Sequence, residues 1–94
     1  ERTVVLPTRY GTLRLMSTGT ALDGEFVPLS DAQVTVLRAL AASPGAVVSR
    51  AQLLSAVPGL DTEHALEMVI SRLRKALPAP VVETVIKRGY RLSP

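Results

Sequence analysis

The sequence has no cysteine, no tryptophan, one phenylalanine and a single histidine, His64, among its 94 residues. Without cysteine the chain forms neither disulfides nor thiolate metal sites, which suits a reducing compartment, and we expect a cytoplasmic protein. One histidine lacks the partners that zinc requires, so we expect no metal and no cofactor. No apolar run approaches the roughly 20 residues that span a bilayer, and no signal-peptide pattern occurs, so no membrane partner is expected.

Patterns typical of catalysis are scarce as well. The chain has no glycine loop of the kind that holds phosphates, and its main acidic cluster is Asp61, Glu63 and Glu67. Three carboxylates at the start of a helix are better explained by capping and by the helix dipole. We therefore predict that this chain is not an enzyme, and that any activity of a parent protein resides in other residues.

Positive charge is present, but only in one part of the chain. Residues 1–61 hold five arginines and five acids, whereas residues 62–94 hold six basic residues and three acids, which is the whole net charge of +3. Charge confined to one third of the chain indicates one functional face for a polyanion, and duplex DNA is the obvious candidate. From charge alone, a solvated basic surface without a partner is equally compatible.

The N-terminal part predicts a small antiparallel sheet in a chain long enough for one domain. Apolar and less apolar residues alternate over 13–16 with the two-residue period of a half-buried strand. Asp23-Gly24 lies between two further short strand-like runs and is a strong signal for a tight hairpin turn. Residues 1–8 are interpreted as a linker from a missing N-terminal domain, because the chain begins with Glu1 and not with Met.

Three helices are predicted after this sheet, from about residue 29 to residue 77. Two capping boxes mark helix starts, Ser30 with Gln33 and Ser49 with Gln52. Asp61 or Thr62 can cap the third helix. Proline and glycine mark where the helices end: Pro44-Gly45, Pro58-Gly59, Pro78 and Pro80.

The third helix has an apolar stripe and an opposite polar face. At 100° per residue, four leucine and isoleucine residues lie within an arc of about 60° and form the core stripe: Leu66, Ile70, Leu73 and Leu77. The opposite face is His64, Met68, Ser71, Arg72 and Lys75, flanked by Glu67 and Arg74. Such a face fits a major groove, where Arg72 can bind guanine and Met68 can meet a thymine methyl. Arg74, Lys75 and Ser71 are better placed for phosphates.

A hairpin ends the chain, with two alternating runs around Lys87-Arg88-Gly89. The predicted fold class is therefore α+β, a winged helix-turn-helix with a short N-terminal antiparallel sheet, three helices and a C-terminal β-hairpin wing.

An ordinary surface helix would also carry cations in its last turn. That reading explains Arg74 and Lys75, but it explains Arg72 and the basic hairpin less well.

Four segments, in order, resemble the OmpR/PhoB-type winged-helix DNA-binding domain, the effector domain of many bacterial response regulators. The resemblance covers about residues 11–92, and its segments are Leu29-Ser30 with Gln33, Pro44-Gly45 with Val48-Ser49-Arg50 and Leu53, residues 66–75, and residues 84–91. It implies sequence-specific binding of double-stranded DNA, with two copies on tandem half-sites. By position, Arg72 matches a base-reading arginine, Met68 lies near thymine methyls, Arg74 and Thr84 contact phosphates, and Tyr90 anchors the wing.

The chain departs from the family pattern at several positions. Val69 replaces a usual histidine, and His64 stands where an arginine that contacts DNA is common. In the wing, the minor-groove arginine is absent from its usual place, so Lys87 or Arg88 is expected to substitute for it. Only residues 60–63 separate Pro58-Gly59 from His64. This loop meets RNA polymerase in activators of the family, and its shortness argues against direct polymerase contact.

Two questions about the parent protein stay open. The resemblance implies an N-terminal receiver domain switched by aspartyl phosphorylation. The domain also occurs fused to other partners, and the Ala-, Val- and Arg-rich composition would suit an actinobacterial fusion to a uroporphyrinogen-III synthase-like domain. The alternative function is a winged-helix module that binds protein, appended to an enzyme or to a receiver domain.

Overall fold

The computed structural model describes residues 3–93 and places four strands first, three helices next and a hairpin last. The elements are β1 Val4–Thr8, β2 Gly11–Met16, β3 Gly19–Leu22, β4 Glu25–Val27, α1 Asp31–Ala41, α2 Arg50–Ala56, α3 Glu63–Ala76, β5 Val82–Val85 and β6 Gly89–Leu92. Strands β1 to β4 form one antiparallel sheet in chain order, and β5 pairs with β6. The predicted α+β winged helix-turn-helix is confirmed.

The N-terminal sheet has one face on the core. Leu13 and Leu15 of β2 are fully buried, as their alternation predicts. Asp23 and Gly24 have φ angles of 52° and 84°. Two successive residues with positive φ give the turn a twist that matches the twist of the flanking strands, as a tight hairpin requires. The hairpin between β3 and β4 is therefore confirmed.

Interpreting residues 1–8 as a linker is wrong for Val4–Thr8, which form β1 and pair with β2 along their whole length. Residues 1 and 2 lie outside the described part of the chain. Val4 and Leu6 are partly buried against the core, whereas Val5 and Pro7 are exposed. The sequence does not show this alternation, because Val4, Val5 and Leu6 are all apolar and Pro7 follows them. β1 is an edge strand, where proline is tolerated because no second neighbouring strand needs the N–H that proline lacks.

The three helices begin where the capping residues predict. Ser30 Oγ accepts from Gln33 N while Gln33 Oε1 accepts from Ser30 N, at 3.3 and 2.8 Å. Ser49 and Gln52 repeat this arrangement at the start of α2. For α3, Thr62 is the cap, because its Oγ1 accepts from the backbone N–H of Ala65 at 3.1 Å. The choice left open between Asp61 and Thr62 is therefore settled in favour of Thr62.

One apolar core joins the sheet, the helices and the hairpin. The predicted stripe of α3 is buried in full: Leu66, Ile70, Leu73 and Leu77. In α1, Val36 is fully buried, whereas Val34 is only partly buried. α1 packs on α2, α3 and β6, so its buried face is wider than one stripe.

Replacing Leu73 by Ala should lower the free energy of unfolding by about 2–5 kcal/mol, because Leu73 is fully buried in the core and the cavity would not close completely. Chemical denaturation measures this change. Met68→Ala is the matched control on the exposed side of the same helix and should stay within about 0.5 kcal/mol of the parent. Equal effects of the two variants would mean that the faces of α3 are assigned wrongly.

Candidate nucleic-acid interface

The polar side of α3 is a continuous exposed surface. All the residues predicted for it are exposed: His64, Glu67, Met68, Ser71, Arg72, Arg74 and Lys75. Met68 keeps 39% of its surface accessible and is the one large apolar residue of this set. Thr62 caps the helix and Leu77 ends it, so the 14-residue helix presents this surface on a single rigid rod.

Arg74 connects α3 to the wing, the hairpin of β5 and β6. Its Nε donates to the carbonyl oxygen of Val82 at 3.1 Å, and its Nη2 donates to Thr84 Oγ1 at 2.6 Å. A guanidinium has five N–H donors, so donors remain for a phosphate. Thr84 Oγ1 accepts from Arg74, and its own proton is available to a further acceptor. Both residues predicted to contact phosphate therefore also fix the wing beside the helix.

Tyr90 lies under this contact, with 4% of its surface accessible. The guanidinium carbon of Arg74 is 5.6 Å from the centre of its ring, and that of Arg50 is 5.3 Å away. Both distances are within the range of cation–π attraction. Tyr90 therefore links β6 to α3 and to the first turn of α2. Sequence reasoning missed Arg50 as part of this region, although Ser49-Arg50 belongs to a segment that carries the family resemblance.

Backbone hydrogen bonds also hold the wing against the segment before α2. Val48 N donates to Tyr90 O at 2.8 Å, and Tyr90 N donates to Val48 O at 3.0 Å. Gly89 makes this approach possible, because a β-carbon at its position would collide with the carbonyl oxygen of Val48. Its φ of 141° is also one that residues with side chains rarely adopt. The sequence interpretation placed Gly89 in the turn, whereas the structure uses it as the contact point.

Not every cation of the basic third of the chain is available to a partner. Arg91 Nε donates to Glu83 Oε1 at 2.9 Å, and the two residues are opposite each other across β5 and β6. This bond lowers the pKa of Glu83 below its usual value. The pair is neutral at pH 7, so the hairpin's uncompensated charge lies at its tip, on Lys87 and Arg88, both of which are exposed.

The tip of the wing is a three-residue turn, since Val85 pairs with Gly89. Arg88 N donates to Val85 O at 2.9 Å, and Lys87 has a φ of 63°. Ile86 stands beside these cations with 80% of its surface accessible. Sequence reasoning gave Ile86 no role.

The structure places the predicted site residues in two groups that are joined through Arg74, Thr84 and Tyr90. Residues 57–62 connect α2 to α3 in six residues. No group of three or more histidine or acidic residues within 3–93 is arranged to hold a metal ion. Over the same residues, no helix is long and apolar enough to cross a membrane.

Comparison with known proteins gives a consistent result. Residues 24–92 match the family model described as "Transcriptional regulatory protein, C terminal". A search of curated proteins finds no match. Among solved structures, the chain is similar to the DNA-binding domain of CpxR from E. coli, with 33% identity over 95% of each chain and a TM-score of 0.77.

Two further structures are similar at lower identity. The Klebsiella pneumoniae RstA DNA-binding domain, solved in complex with the RstA box, has 28% identity and a TM-score of 0.78, and the match covers 99% of this chain and 98% of that one. The DNA-binding domain of E. coli CadC also has 28% identity and a TM-score of 0.78, with 100% of this chain and 95% of that one covered.

Replacing Gly89 by Ala should break the contact between the wing and Val48 and lower the free energy of unfolding by about 2–4 kcal/mol, from backbone strain and two lost hydrogen bonds. Amide hydrogen exchange at Val48 and Tyr90 should become faster. Gly24→Ala is the matched control: Gly24 also has a positive φ, of 84°, but no atom lies within 4 Å of an added β-carbon. Strain alone should cost it about 1–2 kcal/mol. Unchanged exchange in Gly89→Ala would contradict this role.

Proposed function

The chain belongs to the family of C-terminal domains of transcriptional regulatory proteins, of the OmpR/PhoB winged-helix type, and we propose that it binds duplex DNA sequence-specifically as the effector domain of a bacterial transcriptional regulator. α3 lies in the major groove and the wing lies on the adjacent minor groove. The observation that carries this proposal is that free cations from α3 and from the wing tip belong to one rigid unit, joined by the hydrogen bonds of Arg74.

The dimensions of α3 and its chemistry fit a major groove. A helix with side chains is about 10–12 Å across, and the major groove of B-DNA is about 12 Å wide. Arg72 is exposed and can form two parallel hydrogen bonds to guanine O6 and N7, and Met68 offers an apolar surface to a thymine methyl. These two side chains are the proposed readers of base sequence.

Phosphate contacts fix the register of such a complex. Lys75, Ser71 and His64 lie on the exposed side of α3 and are proposed to meet the DNA backbone. Arg74 and Thr84 are proposed to share one phosphate, because the hydrogen bond between them leaves donors on both side chains. The contacts that orient the wing then also orient the DNA, which is how contacts to the backbone support the reading of bases.

Family membership supports a proposal for the assembly and for the biological setting. Two copies are proposed to bind tandem half-sites about one helical turn apart. We propose a cytoplasmic protein whose effector domain is controlled by a receiver domain, as in two-component systems, and this chain itself binds DNA without catalysis. The six-residue connection between α2 and α3 is short for a polymerase contact, so we propose regulation that does not depend on one.

Arg72→Ala should weaken binding to the preferred duplex by about 1–3 kcal/mol and relax the preference at one base position, because a forked contact to guanine is lost. Selection from a random-sequence duplex pool, followed by titration of the recovered site, measures both effects. Arg14→Ala is the matched control, since Arg14 is an exposed arginine on β2, in the N-terminal sheet and not in α3 or the wing. A preferred sequence that is unchanged in Arg72→Ala would remove Arg72 as a reader.

Replacing Lys87 and Arg88 together by Gln should weaken binding to all duplexes alike. The slope of log K against log salt should flatten by about 2, since each phosphate contact contributes close to one unit. Titration between low and physiological salt measures this slope. If binding by the parent chain hardly depends on salt, the alternative of a protein-binding winged helix is favoured. If the slope of log K against log salt is steep and is the same in the double variant, DNA binding stands and only the contact of the wing with DNA is excluded.

A further inference from the structure

We propose that Ile86 is an apolar wedge, which the wing inserts into the minor groove at a deformable base step, so that the wing reads DNA shape in addition to supplying charge. The inference rests on the proposed function and extends it to a residue that the family resemblance does not assign. Architectural proteins use isoleucine, leucine and similar side chains in this way, and they partly unstack a base step as they enter.

The first argument is exposure. Ile86 has 80% of its surface accessible and is the most exposed large apolar residue among residues 3–93. The next is Phe26, at 63%, and it covers Gly19, where an added β-carbon would collide with the phenyl ring. Phe26 therefore has a role within the fold. Ile86 contributes little to the core, and its hydrocarbon surface is still available for burial against a partner.

The second argument is the sequence of the turn. Tight hairpin turns favour glycine, asparagine and aspartate, above all where φ is positive. Here the positive φ of 63° belongs to Lys87, between Ile86 and Arg88. None of the three residues is a preferred turn former, and Ile86 is β-branched. Residues that violate a local structural preference without a gain in packing are expected at functional sites.

The third argument is position. Thr84 is held to the last turn of α3 by Arg74, and Ile86 is two residues further along the chain. At about 3.3 Å per residue, Ile86 lies within roughly 7 Å of Thr84. The minor groove is about 6 Å wide, which admits side chains of the turn but not a pair of strands about 4.8 Å apart with their side chains.

Charge selects the occupant. Lys87 and Arg88 follow Ile86 directly, and both are exposed cations. An apolar protein surface would have to bury these charges, whereas phosphates on the two sides of a minor groove would pair with them. The floor of the groove is then the environment left for Ile86. An isoleucine held between the two sugar–phosphate backbones would contact sugars and base edges. Pyrimidine–purine steps are the ones that kink or unstack most easily.

The test compares side chains of nearly equal shape at one position. The probe is a duplex recovered from a random-sequence pool by the parent 94-residue chain, with 2-aminopurine placed at the base step under the wing. Ile86→Val removes one methylene-sized group and should weaken binding at most about fourfold. Threonine has nearly the shape of valine but carries a hydroxyl in place of one methyl group. The Ile86→Thr variant should therefore bind the probe roughly tenfold more weakly than Ile86→Val.

The accompanying readouts separate a wedge from a charge effect and from misfolding. The parent chain should raise 2-aminopurine fluorescence on binding, and Ile86→Thr should not. The salt slope should be the same in both, because no phosphate contact is lost. The thermal unfolding midpoint should be unchanged, since Ile86 is not part of the core.

Equal affinities of the parent, Val and Thr variants for the probe would overturn the inference and leave the proposed function intact. A flattened salt slope in Ile86→Thr would overturn it as well, because the residue would then act through the neighbouring cations. If Ile86→Thr abolishes self-association without affecting DNA affinity, the wedge is also excluded. Failure of the parent chain to bind any duplex from the pool would instead overturn the proposed function.

Discussion

Two backbone hydrogen bonds between Val48 and Tyr90 determine where the wing lies relative to the helices. They exist because Gly89 has no side chain at the point of closest approach. The other contacts of the site depend on this one. Tyr90 lies in the core only if β6 is held against Val48, and Arg74 reaches Val82 only if β5, which pairs with β6, is held there as well. By permitting this close approach, Gly89 lets the hairpin be held in a fixed position beside the helices.

The cations of the C-terminal third divide into two kinds. Arg91 is paired with Glu83, and Arg74 bonds to the wing, so both stabilise the arrangement itself. Arg72, Lys75, Lys87 and Arg88 project from it. A count of cations along the sequence treats all of them alike and overstates the positive charge that a polyanion meets, because Glu83 compensates the charge of Arg91, whereas the partners of Arg74 are neutral. The useful quantity is the charge left after the internal pairs are removed, and it is concentrated on α3 and at the wing tip.

Much of the fold could be predicted because its signals are local. Capping boxes, the Asp23-Gly24 turn and the stripe of α3 each depend on a few neighbouring residues, and each lies where the sequence places it. β1 was missed because its first three residues are a continuous apolar run without alternation and Pro7 follows them. The Gly89 contact, the Arg50–Tyr90 stacking and the Arg74 bridge were beyond reach, since they join positions that only tertiary packing brings together. The direction of each exposed side chain of α3 was predictable, whereas its partners were not.

α3 is both part of the core and the proposed reading helix, and this double use constrains the domain. Leu73 is buried between Arg72 and Arg74, which face outward. Because each residue turns the helix by about 100°, a shift of α3 by one position would move a cation into the core and a leucine into the groove. The Thr62 cap and the short connection from α2 fix that register from one end, and the Arg74 bridge fixes it from the other. The register of the proposed base reading is therefore set by the same contacts that hold the domain together, so a weaker core would be expected to blur specificity before it abolished binding.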